Sequence, residues 1–243
     1  MSSSNTQDTS TTEETTNKVS ADVSTCFGVF ITITIIYSIL KIIFGVIGDR
    51  IWIFGYLITT VIIQWQLNSM IASDNCNDTD QLTTTIIATF LPWIGIFFTI
   101  NVLLLMFPGW KAPFSNTLGY LIAYLAGVKN AFVKMLKTPE SIDQSNINDK
   151  ALLKSIEYIY SDTSTMINEL NTINFEDSMN RMKPLFNDQA NNDPSMRKEL
   201  YKFIIMKETI GELVWLILSG CMAINVAYVY IINTDCATVS GDS

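Results

Sequence analysis

The chain has 243 residues, 49% apolar and 16% charged, with a formal net charge of −8 and no histidine. The missing imidazole excludes His-based triads, His general bases and the usual zinc and iron ligand sets. Four cysteines (Cys26, Cys76, Cys221, Cys236) without C-x-x-C spacing give no structural metal site or thioredoxin-like motif a foothold.

Residues 1–25 are about half Ser and Thr, with Asp8, Glu13, Glu14 and Asp22 against Lys18. So few large apolar side chains cannot offset the entropy of ordering, which predicts a disordered acidic tail. The stretch lacks the basic start of a secretory signal, and the apolar run after it is long enough to remain as a membrane span. Ser2 after Met1 and the ending Ser-Gly-Asp-Ser supply neither a myristoylation glycine nor a prenylation cysteine.

Four stretches, 27–47, 51–71, 83–107 and 213–233, are each long enough to cross a bilayer and together hold one charge, Lys41. A span needs about 20 mainly apolar residues, because the hydrocarbon layer is roughly 30 Å thick. The predicted class is all-α: a polytopic membrane protein with three transmembrane helices over 26–107, a fourth at 213–233 and a small extramembrane helical bundle. Gly48, Asp49 and Arg50 alone join the first two runs, which predicts a tight antiparallel hairpin. Lys41 lies about two turns before Arg50, so its stem is expected to snorkel toward headgroups. In the third run Pro92 removes a backbone donor and predicts a kink, with Thr89 at hand for the freed groups.

With four crossings, residues 1–25, 72–82 and the short tail 234–243 share one face, which holds a single base, Lys18, and nine acids. The other face, residues 48–50 and 108–212, holds 13 bases and 14 acids. Lysine and arginine concentrate on cytosolic faces, so the long segment is expected there. Cys76 and Cys236 fall together on the opposite face, each just beyond a span, and form a candidate disulfide, with Cys26 as a competing partner. Cys221 reads as a small packing residue in mid-span. Asn77-Asp78-Thr79 matches a glycosylation sequon in a loop too short and too close to the membrane for ready modification.

Uncharged Gln64, Asn101 and Asn225 lie within spans, where they can bond between helices or line a passage. No acid, histidine or arginine sits at membrane depth, which argues against a proton relay or a charged-solute pathway.

Within 108–137 a helical pattern from Ser115 or Asn116 carries Leu118, Leu121, Ile122, Leu125, Val128, Phe132 and Met135 at three- and four-residue steps, opposite Gly119, Ala123, Asn130, Lys134 and Lys137. It predicts an amphipathic helix lying in the interface or facing a partner. Beyond a linker at 138–147, periodic segments fill the extramembrane region 138–212. They centre on Leu152 to Tyr160, Met166 to Leu170 and Phe175 to Phe186, and predict a small bundle with a marginal core. Asp193-Pro194 is a helix start, and no proline or turn cluster follows before Asn233, so one helix is expected from there through the fourth span, with Gly211 its weak point. The charges interleave without a basic stripe or aromatic platform, so no nucleic-acid partner is indicated. Glu176-Asp177 points in two directions on a helix with no catalytic neighbours, and neither a catalytic residue nor a cofactor is expected.

Residues 107–120, reading Phe107-Pro108-Gly109-Trp110-Lys111-Ala112-Pro113-Phe114-Ser115-Asn116-Thr117-Leu118-Gly119-Tyr120, suit a fixed exit from the membrane. Phe107 and Trp110 sit at the interface, Pro108 and Gly109 stop the span, and Pro113 with Ser115 or Asn116 restarts a helix. This block resembles a motif of membrane-spanning minor capsid proteins of nucleocytoplasmic large DNA viruses, the giant and algal virus group. The resemblance implies a virion component in the internal membrane beneath an icosahedral shell, assembled from host endoplasmic reticulum membrane. Its implied partners are the lipid bilayer, capsid or other membrane proteins of the same virion, and copies of itself. Viruses of this group often oxidise thiols in the cytosol, so a disulfide would not by itself identify the lumenal face. The expectation is thus a structural, non-enzymatic membrane protein; the alternative is a small channel or transporter lined by Gln64, Asn101 and Asn225.

Overall fold

The computed structural model describes residues 8–44, 49–76, 81–142, 147–234 and 236, with side chains described throughout these ranges except at 8–22, 49–51 and 147–148. The sequon at 77–79, Gly48 and the end of the chain after Cys236 lie outside the described residues. All regular structure among the described residues is helical, and the one bridge outside helices pairs Leu136 with Phe186.

The chain opens with α1 (Asp8–Phe44) and α2 (Asp49–Asn75). The third apolar stretch is α3 (Leu82–Pro92), a π-helical turn Trp93–Phe98 and α4 (Thr99–Met106). Helix α1 extends back through the acidic Ser/Thr-rich stretch expected to lack regular structure. No proline or glycine interrupts residues 8–27, and lengthening a formed helix costs far less than nucleating one. At Pro92, whose N–H is missing, the helix widens to π geometry and continues.

Among the described residues, three helices are long and apolar enough to cross a membrane: Val23–Phe44, Leu82–Met106 and Pro194–Ile232. The fourth expected stretch, 51–71 in α2, is not among them. Gln64, Gln66 and Asn68 dilute its second half.

The chain forms two compact units, the first being Met1–Tyr37, Gly48–Phe107 and Trp215–Ser243. Its core joins Phe30, Tyr56, Trp93, Phe97, Leu216, Ala223 and Ile224. Phe30 meets Trp93 and Phe97 edge-on at 5.8 and 6.0 Å, and Tyr37 stacks on Tyr56 at 4.5 Å. Gly220 is required here, since a Cβ would come within 2.0 Å of the Phe30 ring. Polarity in this unit runs opposite to that of a water-soluble domain. Thr34, Thr60, Gln64, Asn68, Thr85, Thr89 and Asn101 are buried, whereas Ile36, Phe54, Ile58, Leu91, Ile94 and Met222 are exposed. Tyr56, Thr60, Gln64 and Asn68 recur every four residues and so form one buried stripe on α2. Cys76 and Cys236 are disulfide-bonded, their Cα atoms 5.4 Å apart, tying the end of α2 to the end of the last helix.

The second unit is Ser38–Ile47 with Pro108–Val214. A 3₁₀ turn Pro108–Lys111 leads to α5 (Ala112–Phe114), a π-helical turn Ser115–Gly119, α6 (Tyr120–Ala126) and α7 (Val128–Val133). After it come α8 (Ile147–Ser161), α9 (Thr163–Glu169), α10 (Phe175–Arg181), α11 (Asp188–Asn192) and the 39-residue α12 (Pro194–Ile232). Its core unites Val128, Phe132, Met135 and Leu136 with Ile159, Ile167, Phe175, Met179, Phe186, Leu200 and Ile204. Segments expected to be separate, 108–137 and 138–212, therefore fold together, which enlarges a core that would otherwise be marginal.

The single amphipathic helix expected over 116–136 is two. Gly127 adopts φ +108°, a left-handed conformation open to glycine at low cost, and it turns the chain between α6 and α7. Val128, Phe132 and Met135 beyond the turn are buried, but Leu118, Leu121, Ile122 and Leu125 before it are exposed, Leu125 by 77%. The side of this helix that packs is the one bearing Gly119 and Ala123.

Asp162 caps α9 by accepting hydrogen bonds from the Ser164 amide and the Ser164 and Thr165 hydroxyls, and these hold its carboxyl below the usual range. Asn187 caps α11 through the Ala190 amide while its side-chain N–H groups reach the carbonyls of Lys134 and Leu136.

Candidate functional site

The membrane-exit block 107–120 is the most specific feature of the sequence, and its polar residues converge on one face of α12. Phe107 leaves helical geometry at φ −123° and ψ 74°, followed by Pro108, and both Phe107 and Trp110 stay exposed. Pro113 lies in the first turn of α5, where its missing N–H costs nothing.

Lys111 Nζ stands 3.0 Å from Glu212 Oε2, and Lys41 Nζ, from α1, stands 3.0 Å from Glu212 Oε1. Glu212 is buried, and the two lysines retain little exposure. Two ammoniums on one carboxylate leave a local excess of positive charge at the last acidic position before the apolar run of α12. Lys41 thus ends on a specific partner, and the snorkelling expected from its position is corrected. A carboxylate at matching depth gives the ammonium a stronger interaction than a headgroup exchanging with water.

Five residues earlier on α12, Lys207 is 1% exposed. Its Nζ donates to Asn116 Oδ1 at 3.0 Å and to the carbonyls of Ile167 and Asn168 at 3.1 and 3.3 Å. An ammonium has three N–H donors, so each finds an acceptor, and one side chain fastens α12 to the exit block and to the end of α9. Glu208 accepts from the Thr172 amide at 3.2 Å and from its hydroxyl.

Between these polar anchors the backbones touch. A Cβ on Gly119 would meet the Lys207 carbonyl oxygen at 2.2 Å, and one on Gly211 would meet the Ser115 nitrogen at 2.7 Å. Ser115 is buried against Gly211. Lys111, Ser115 and Gly119 recur every four residues, and they face Glu212, Gly211 and Lys207 in antiparallel order. Gly211, expected as a weak point, is a contact surface within an unbroken helix.

The three uncharged polar residues singled out in the spans do not meet. Gln64 Nε2 donates to the Cys26 carbonyl on α1 at 3.2 Å; Asn101 donates to the Phe97 carbonyl of its own segment at 2.7 Å; Asn225 is exposed on α12. Neighbouring Asn68, which sequence reading missed, bonds across helices to Thr89 Oγ1 at 2.9 Å. Its spacing of four from Gln64 was the available signal. Among the described residues no three Cys, Asp or Glu side chains converge to hold a metal ion.

Glu212 and Lys207 also escaped sequence reading. The signal was a charge of each sign at the boundary of an apolar run, opposite an unmatched Lys41.

Comparison of the chain with protein-family models, with curated protein sequences and with solved structures gave no match.

Proposed function

We propose that this chain is a non-enzymatic structural protein of a large DNA virus, held in the internal virion membrane by four crossings and linked through its helical bundle to the capsid. The observation that carries the reading is the use made of the exit block. The residues that resemble the viral motif, Lys111, Ser115, Asn116 and Gly119, clasp α12, which runs without a break into an apolar span. Such a clasp transmits load between a membrane helix and the helices around it, which is the mechanical task of a scaffold.

The second helix counts as the fourth crossing on the character of its surface. Phe54, Ile58, Ile62, Trp65 and Met70 are exposed along α2 while Thr60, Gln64 and Asn68 are buried. Apolar outside and polar inside, with Gln64 and Asn68 bonded to neighbouring helices, is the arrangement a lipid solvent favours. At 1.5 Å per residue its 27 residues extend about 40 Å, enough to cross. The exposed patch Phe107, Trp110, Leu118, Leu121, Ile122 and Leu125 supports contact of the exit block with the lipid interface.

Mass spectrometry of purified virions, stripped of external proteins but retaining membrane, tests the proposal. The chain is expected at structural stoichiometry, cross-linkable through the bundle to a capsid component. Its absence from such particles would overturn the reading.

A further inference from the structure

The apolar half of α12 carries an exposed polar group that the fold leaves unmatched. Asn225 lies near the midpoint of the run 213–233, its side chain is exposed, and it has no hydrogen-bond partner among the described residues. Of the other amides in the apolar runs, Gln64, Asn68 and Asn101 are buried and donate hydrogen bonds, while Gln66 is exposed nearer the end of its run. In hydrocarbon a carboxamide without partners is costly, and lipid tails offer none.

Among the exposed residues around Asn225, which also include Val226 and Tyr230, one subset follows a rule. Leu218, Met222, Asn225, Val229 and Ile232 are spaced four, three, four and three apart, and the four apolar members are 41–56% exposed. Alternation of four and three is the seam spacing of helices that pack knobs-into-holes at a crossing of about +20°. A stripe of this kind is built for another helix, with the amide at its centre.

We propose that α12 pairs with α12 of a second copy of this chain, in the same orientation, along the seam Leu218, Met222, Asn225, Val229 and Ile232. The occupant follows from chemistry. A carboxamide carries both donor and acceptor, so two copies related by a two-fold axis along the membrane normal place Asn225 against Asn225 and satisfy each other. The inference rests on α12 crossing the bilayer and not on the capsid partner, so presence in or absence from virions does not bear on it.

The native cysteines make the test clean: Cys76 and Cys236 are paired and Cys26 is buried, which leaves Cys221 as the accessible thiol. Full-length protein is reconstituted in phosphatidylcholine liposomes in a Cys221→Ser background, with Met222→Cys or Val229→Cys on the seam and Tyr230→Cys about 100° away from it on the helix. Oxidation is expected to give covalent dimers for the first two and not for the third. In parallel, energy transfer between labelled copies is followed against protein-to-lipid ratio. Asn225→Val is expected to weaken association about three- to twentyfold, the range of interhelical amide bonds in membranes, and Asn225→Gln to retain most of it. Retention of the internal Cys76–Cys236 bridge reports correct folding of each variant. A chain monomeric at every density overturns the proposal, as does equal cross-linking at Tyr230→Cys or association indifferent to Asn225→Val.

Discussion

Gly119 lies so close to Lys207 that a side chain of even one carbon would stand 2.2 Å from the Lys207 carbonyl oxygen. That contact sets an expectation for Gly119→Ala and for Gly211→Ala, whose Cβ would meet the Ser115 backbone at 2.7 Å. Each gains helix propensity but must push two backbones apart, a net loss of about 1–3 kcal/mol. Gly55 in α2 has open space around it. Gly55→Ala is expected to be neutral or to stabilise by up to about 1 kcal/mol. Thermal unfolding in one detergent would separate the three variants.

Removing the Glu212 carboxylate leaves Lys41 and Lys111 facing each other. Glu212→Gln is expected to cost about 3 kcal/mol, at the low end for a broken buried pair because both lysines keep some exposure. Adding Lys41→Met to Glu212→Gln should recover part of the loss. A double-mutant cycle on unfolding free energy checks this, and strict additivity of the two changes would contradict a direct ion pair.

Lys207→Met keeps the stem but leaves Asn116 Oδ1 and the Ile167 and Asn168 carbonyls without their donor. A loss of about 2 kcal/mol is expected. Faster amide exchange should appear in both 115–119 and 163–169, since one ammonium fastens both.

The Asp162 cap gives a pH dependence with a definite sign. Hydrogen bonds from Ser164 and Thr165 lower its pKa from 3.8, so its contribution is fully present above that value and is lost as pH falls through the lower folded value. Protection of the Ser164 amide, its hydrogen exchange taken relative to the intrinsic rate at each pH, should fall below about pH 4. Asp162→Ala should show fast exchange at every pH.

Three of the four apolar runs, the start of α12 after Asp193 and the pairing of Cys76 with Cys236 were legible in sequence, because length and hydropathy mark helices able to cross a bilayer. Which side of each helix faces its neighbours was harder. By spacing alone the stripe Leu118, Leu121, Ile122 and Leu125 joined smoothly to Val128 and Phe132 as a single face turned to the interface or to a partner. Exposure reverses at Gly127, because before it the small residues Gly119 and Ala123 pack and the large apolar ones face outward. The same inversion hid Thr60 and Asn68, which share the buried stripe with Gln64. Glu212 was invisible for another reason: Lys41 is 171 residues away, and no local pattern reports a pair that only the fold brings together.

Crossing number is tested most directly by protease-site insertion in sealed vesicles, with one site beside Lys18 and a second beside Asn146. Three crossings lie between them if α2 spans with α1 and the third apolar stretch, so cleavage is expected from opposite sides of the membrane. Cleavage of both from the same side would mean an even number of crossings and would contradict the four-span scaffold.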